Sequence, residues 1–139
     1  MPKRGGEEAR LLLLHGEESF LVDEEARATI RRWRADLVSD FGYDQLDPQG
    51  LNSAQLRDAI LQGPFLDPYR VVVVRSILPR RADALAPALK EVPETTRAVL
   101  TVTGRLGAAS KLVKAVSAAW GTVTQHATMR PRAVQEWTV

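Results

Sequence analysis

"ARLLLLHGEESFLVDEE", residues 9–25, decides the fold. Residues 9–16 are a short apolar run closed by glycine, the pattern of a buried strand. From Leu21 the period changes. Val22, Ala26, Ile30, Trp33 and Leu37 recur at intervals of 4, 4, 3 and 4, one face of a helix. Asp23, Glu24 and Glu25 fall near the expected first turn, where the helix dipole favours carboxylates. Arg31, Arg32 and Arg34 fall in the later turns, where it favours cations. A buried strand thus feeds directly into an amphipathic helix, the unit that opens many α/β folds.

The same alternation continues along the chain. "FGYDQLD" (41–47) reads as a weak strand near a sheet edge, and "PQG" (48–50) breaks it. Asn52 and Ser53 are both suitable N-caps for a helix over 54–62 with Leu56, Ala59 and Ile60 inward. Gly63-Pro64 stops that helix, and Val71 to Val74 read as a strand buried on both faces. Residues 81–90 suggest a helix with Ala82, Leu85, Ala86 and Leu89 inward, short or broken at Pro87. "RAVLTVTG" (97–104) is a strand rich in β-branched residues. Residues 108–120 form a helix with Leu112, Ala115, Val116 and Ala119 inward, and 121–127 a last strand. Strands separated by helices predict an α/β fold of three layers: a mainly parallel five-stranded sheet with helices on both faces. Residues 1–8 are expected to be a disordered tail, 9–127 the domain, and 128–139 the start of a helical connection that is cut off.

Bulk properties exclude several classes. Nineteen basic and seventeen acidic residues leave a net charge of +2, too small to argue for nucleic acid or an anionic membrane. With no cysteine, disulfides and thiolate metal sites are ruled out. The longest apolar run is four residues, too short for a membrane span or a signal-peptide core, and a cytoplasmic location is expected.

The first strand-to-helix turn is the usual phosphate cradle of such folds. A P-loop requires G-x-x-x-x-G-K-[ST], with glycines for backbone approach, lysine for the terminal phosphate and a hydroxyl for magnesium. Aligning Gly16 with the first glycine puts Leu21, Val22 and Asp23 at the positions of Gly, Lys and Ser/Thr. All three functions are missing. Glu17, Glu18, Asp23, Glu24 and Glu25 also surround the turn with carboxylates that repel phosphate. No catalytic group, cofactor or metal site is expected. His15 and His126, the only histidines, fall near strand ends, and Tyr43 and Tyr69 have no flanking acid–base group. Arg31, Arg32, Arg34, Arg80 and Arg81 offer a nucleic-acid reading, but without aromatic residues interleaved.

"GPFLDPYR" (63–70) places Phe65 and Leu66 between two turn-forming pairs, Gly63-Pro64 and Asp67-Pro68. Two readings stand: the pair folds back to cap the sheet end, or it projects as an apolar knob on a Pro-stiffened loop.

"LLLLHGEESFLVDEE", "FLDPYRVVVVR", "TTRAVLTVTG", "KLVKAVSAAWGTV" and the terminal "EWTV", in this order and spacing, resemble the delta subunit of bacterial DNA polymerase III, a clamp-loader component. The resemblance runs from about Arg10 to the end. It implies a RecA-like, AAA+-type P-loop NTPase fold lacking a functional P-loop, and a non-catalytic role in DNA replication. It also implies a partner, the ring-shaped sliding clamp (the beta subunit). A short helix and the loop after it would present two adjacent apolar residues to the clamp and help to open the ring. By position that pair falls on Pro64 and Phe65, with Leu66 following and Leu61 at the helix end; Phe65 matches directly. Other clamp-loader subunits would join through a C-terminal domain not present here, with DNA contacted only in the full complex. The alternative is a small nucleotide-binding or NTP-hydrolysing α/β domain with a degenerate phosphate loop.

Overall fold

The computed structural model describes residues 9–127. The expected tail and the expected terminal helix lie outside the described residues. The chain runs β1 (Leu11–His15), α1 (Ser19–Arg34), a 3-10 turn (Asp40–Gly42), β2 (Tyr43–Leu46), α2 (Ser53–Leu61) and β3 (Arg70–Ile77). It continues with α3 (Pro79–Ala82), a 3-10 segment (Asp83–Leu89), β4 (Thr96–Val102), α4 (Lys111–Ala118) and β5 (Thr122–Gln125). The five strands form one sheet in the order β2-β3-β4-β1-β5, and every pairing is parallel.

The unbroken "LLLL" and "VVVV" runs follow from two-sided burial. Strand side chains alternate between faces, so a strand covered on both sides has no position left for a polar residue. Leu12, Leu14, Val71, Val73 and Val99 face α1 and meet Val22, Ala26, Ile30 and Trp33. Leu11, Leu13, Val72, Val74, Ala98 and Leu100 face the other way. They pack on Leu56 and Ile60 of α2, Leu85 and Leu89 of the 3-10 segment, and Leu112 and Val116 of α4. This is the three-layer α/β arrangement of RecA-like domains.

Local chemistry sets several boundaries. Asn52 caps α2 in a reciprocal box with Gln55: each side chain accepts from the other residue's backbone N–H, at 2.8 and 3.0 Å. Ser110 caps α4, and the Asp83 carboxylate reaches across to accept from the Ser110 hydroxyl and from the N–H groups of Lys111 and Leu112. Helix α4 is therefore shorter than residues 108–120, and its Ala115 and Ala119 are only partly buried. The segment 81–90 is not one α-helix. Pro87 has no N–H to donate, and the chain tightens to 3-10 geometry from Asp83. That shorter period brings Ala88, rather than Ala86, into the core.

Helix α1 starts at Ser19, two residues before the expected Leu21, so no acidic residue lies in its first turn. Asp23 and Glu24 pair with cations instead, Asp23 with Arg75 at 3.8 Å and Glu24 with Arg27 at 3.6 Å, and Glu25 hydrogen-bonds the His126 ring at 2.7 Å.

Leu13 is fully buried at the centre of the sheet. Leu13→Ala is expected to lower unfolding free energy by about 2–5 kcal/mol through lost burial and a residual cavity. Lys114→Ala, on the exposed side of α4, should stay within about 0.5 kcal/mol of the unaltered chain. Urea titration followed by circular dichroism measures both.

Candidate functional site

A parallel sheet has two unlike ends. The β1–α1 turn lies at the carboxyl ends of the strands, where ligands of open α/β sheets bind. Here that turn is filled by the protein itself. Gly16 has φ +133°, and a Cβ on it would lie 2.2 Å from the carbonyl oxygen of His126, so glycine is required by the approach of the β5 exit. The Gly16 N–H donates to Gly104 O at 3.0 Å, and the Glu18 N–H to His126 O at 3.1 Å. Two amides that a phosphate cradle would aim at its ligand are thereby occupied. Of the residues at the signature positions, Leu21 is exposed, Val22 is in the core under α1, and Asp23 pairs with Arg75.

Both histidines come to this end. The His126 N–H donates to His15 O at 2.8 Å, yet the two rings serve different partners. The His15 Nδ1 accepts the Leu106 N–H at 3.0 Å inside the protein. Burial, and then the nearby Arg105 charge, push the His15 pKa down, so its ring is neutral. The His126 ring bonds Glu25. Among the described residues no group of three or more His, Cys, Asp or Glu side chains is arranged to hold a metal.

The amino ends of the strands carry a different surface, built by the four residues "DPYR" (67–70). Asp67 is buried and accepts from the N–H groups of Val38 and Ser39 and from the Ser39 hydroxyl, the last at 2.6 Å. The Ser39 hydroxyl, helped by the two amides, holds the Asp67 carboxyl below the usual carboxylate range against the opposing effect of desolvation. Its carboxylate also abuts Gly42, where an added Cβ would come within 2.4 Å of Oδ2. Tyr69 donates through its hydroxyl to Asp36 Oδ2 at 2.6 Å and lies 2.8 Å from Trp33 O, and the Arg97 guanidinium stacks on its ring at 3.9 Å.

Arg70 makes the largest set of ties. Its Nε donates to Ala59 O at 3.1 Å, one terminal nitrogen to Phe41 O at 3.1 Å, and the other to Asp44 Oδ2 at 2.8 Å. The last carbonyls of a helix have no partner within it. In α2 they are taken by Gln62 N–H, by Arg70 and by the Thr96 hydroxyl, which donates to Ile60 O at 2.8 Å. The end of α2, the loop 62–69 and the turn before β2 are thus fastened to the sheet edge.

On this frame stand large exposed apolar side chains. Phe65 is 80% exposed and Leu66 61%, with Leu61 at the end of α2 38% exposed and Pro64 half-buried. Phe41, in the 3-10 turn rather than in a strand, is 73% exposed and lines a hollow of about 460 Å³ together with Gln62, Gly63, Pro64, Phe65 and Arg70. Sequence reasoning placed Phe41 in a strand and did not bring it to Phe65. The only signal was one aromatic residue beside Gly42 at a strand start.

No protein-family model matches the chain, and no curated protein matches it. Among solved structures, the DNA clamp loader delta protein of Bacillus subtilis matches with a TM-score of 0.70 and 22% identity, over 96% of this chain and 43% of that one. The chain shares the fold of the matched part of this delta protein. A DNA polymerase III gamma subunit-related protein of Thermotoga maritima also aligns, with a TM-score of 0.49 and 19% identity, over 94% of this chain and 45% of that one. The chain spans less than half the length of either. In this delta-like fold the two ends of the sheet separate the candidate sites: Gly16, Leu21, Val22 and Asp23 at or just beyond one, Leu61, Pro64, Phe65 and Leu66 at the other.

Two outcomes are expected. Arg70→Met should cost about 2–4 kcal/mol in urea unfolding, because it removes the donor to the buried Ala59 carbonyl and to the part-buried Phe41 carbonyl and Asp44 carboxylate. His15 titrates lower in the folded chain than its ordinary 6.5. The unfolded chain therefore binds more protons as pH falls. Stability from neutral His15 is complete above that value and is lost as pH falls through the lower folded value. The slope of unfolding free energy between about pH 7 and 5 should be flatter in His15→Gln than in the unaltered chain.

Proposed function

We propose that this chain is a non-catalytic clamp-loader domain that docks on the DNA sliding clamp and helps to open the ring during DNA replication. The observation that carries this reading is Phe65, exposed on a loop held by the bonds that Asp67 accepts from Ser39 and by those that Arg70 donates to Ala59 O and Phe41 O. A loop already fixed in place loses little conformational freedom on docking. Burying one Phe or Leu side chain contributes about 1.5–3 kcal/mol, and a few such anchors dominate many interfaces. Leu66 is more exposed than Pro64, which supports Phe65-Leu66 as the contacting pair, with Leu61 flanking it. The likeness to the Bacillus subtilis delta protein, a DNA clamp loader, supports the same role.

The alternative, nucleotide binding at the β1–α1 turn, is opposed by the occupied amides of Gly16 and Glu18 and by Leu21, Val22 and Asp23 at the phosphate-loop positions. In the proposed role the loop is inactive and no cofactor is used. The domain works in the cytoplasm, and assembly with other clamp-loader subunits and contact with DNA belong to the full complex. Among the described residues no helix is long and apolar enough to cross a membrane.

Calorimetric titration of the chain with the sliding clamp of the same organism tests this. Saturable binding is expected, weakened about tenfold or more by Phe65→Ala, in a variant whose circular dichroism is unchanged. Absence of binding by the unaltered chain overturns the reading. Magnesium-ATP should leave the melting temperature unchanged; a concentration-dependent rise would favour the nucleotide-binding alternative.

A further inference from the structure

Phe65 does not stand alone. Phe41 reaches the same surface from a different element, 24 positions earlier in the chain, and is nearly as exposed. The hollow between the rings is lined by Gln62, Gly63, Pro64 and Arg70. Gly63 has open space where a side chain would begin.

The two rings are held in a shared frame. Arg70 donates to the backbone oxygen of Phe41 itself and to Ala59 O at the end of α2, from which the Phe65 loop departs. Asp67, two residues after Phe65, holds Val38 and Ser39, which lead into the Phe41 turn, and its carboxylate packs on Gly42. Neither ring has a side-chain polar group to satisfy. Burying both and the hollow between them releases more apolar surface than Phe65 alone.

We propose that Phe41 is a second anchor of the clamp-docking surface, seated beside Phe65 so that the rings straddle a groove receiving an apolar side chain of the clamp. This rests on the clamp-docking function proposed above and extends it to a residue outside the α2–β3 loop. The occupant is argued from continuity: Phe41 and Phe65 border one hollow, so a partner that covers Phe65 meets Phe41 at its rim. Beyond Phe41, Arg34, its guanidinium stacked on Tyr43 at 4.1 Å, lines another hollow with Val38, Ser39 and Asp40, so the flank carries charges of both signs.

The test is a double-mutant cycle on the full chain against the sliding clamp of the same organism, with Phe41→Ala, Phe65→Ala and both together. Trp120→Ala, an exposed aromatic at the entry to β5, is the control. Phe41→Ala should weaken binding about tenfold, Trp120→Ala should not, and the double variant should lose less than the product of the two single effects because the rings share one groove. Phe41→Leu, which keeps an apolar side chain over the turn, should fall between Ala and Phe and serves as the reading if Phe41→Ala melts early. Clamp binding that is lost in Phe65→Ala but unchanged in Phe41→Ala and Phe41→Leu overturns this inference and leaves the docking function standing. No clamp binding by the unaltered chain overturns both. A Phe41-dependent self-association of the chain, measured by sedimentation without clamp, overturns it in favour of a second copy as occupant.

Discussion

Parallel pairing of all five strands is the constraint on which the rest depends. It sends every crossover back along a face of the sheet, so both faces are covered and the central runs of β1 and β3 are apolar on both sides, while the edge strands β2 and β5 are only partly buried. It also gathers all amino ends on one side and all carboxyl ends on the other. The β1–α1 turn and the Phe65 loop are therefore held apart by the length of the sheet, roughly 16 Å for the five-residue β1 at 3.3 Å per residue. One end has its amides engaged by neighbouring carbonyls. The other carries exposed rings on a fastened edge.

The difference between the ends lies in where polar groups find partners. At the carboxyl end, the exit of β5 comes so close to Gly16 that the His126 carbonyl takes the space a ligand oxygen would need. Glu25 and Asp23 are drawn into pairs with His126 and Arg75. At the amino end, Asp67, Tyr69 and Arg70 turn inward and engage the backbone and side chains of three other segments. The neighbouring Phe65 and Leu66 point away from the core. The alternation within one short loop, with apolar residues outward and polar ones inward, reverses the usual pattern.

Much of the architecture was legible in residue spacing. The β1 and β3 runs, the α1 stripe through Val22, Ala26, Ile30 and Trp33, the Asn52 cap and the disturbance at Pro87 are all written in patterns that span one element, and each is present. Element ends were less legible. The start of α1 at Ser19 and the shortened α4 depend on contacts with His126 and Asp83, more than 25 residues away in sequence. The absence of a phosphate-loop signature was plain from Leu21, Val22 and Asp23, whereas the amides that close the turn were not.

The sequence by itself determined the alternating strands and helices, the two-faced burial of the sheet and the missing lysine and hydroxyl, because hydrophobic period and side-chain chemistry are local properties. Only the tertiary structure decided the strand order, the outward direction of Phe65 and Leu66, and the meeting of Phe41 with Phe65. The strand order rests on backbone pairing between distant segments, and the placement of the two rings on hydrogen bonds that Asp67 accepts and Arg70 donates, to groups 11 to 29 residues away. No spacing rule encodes such partners, because the fold must bring the segments together before the bonds can form.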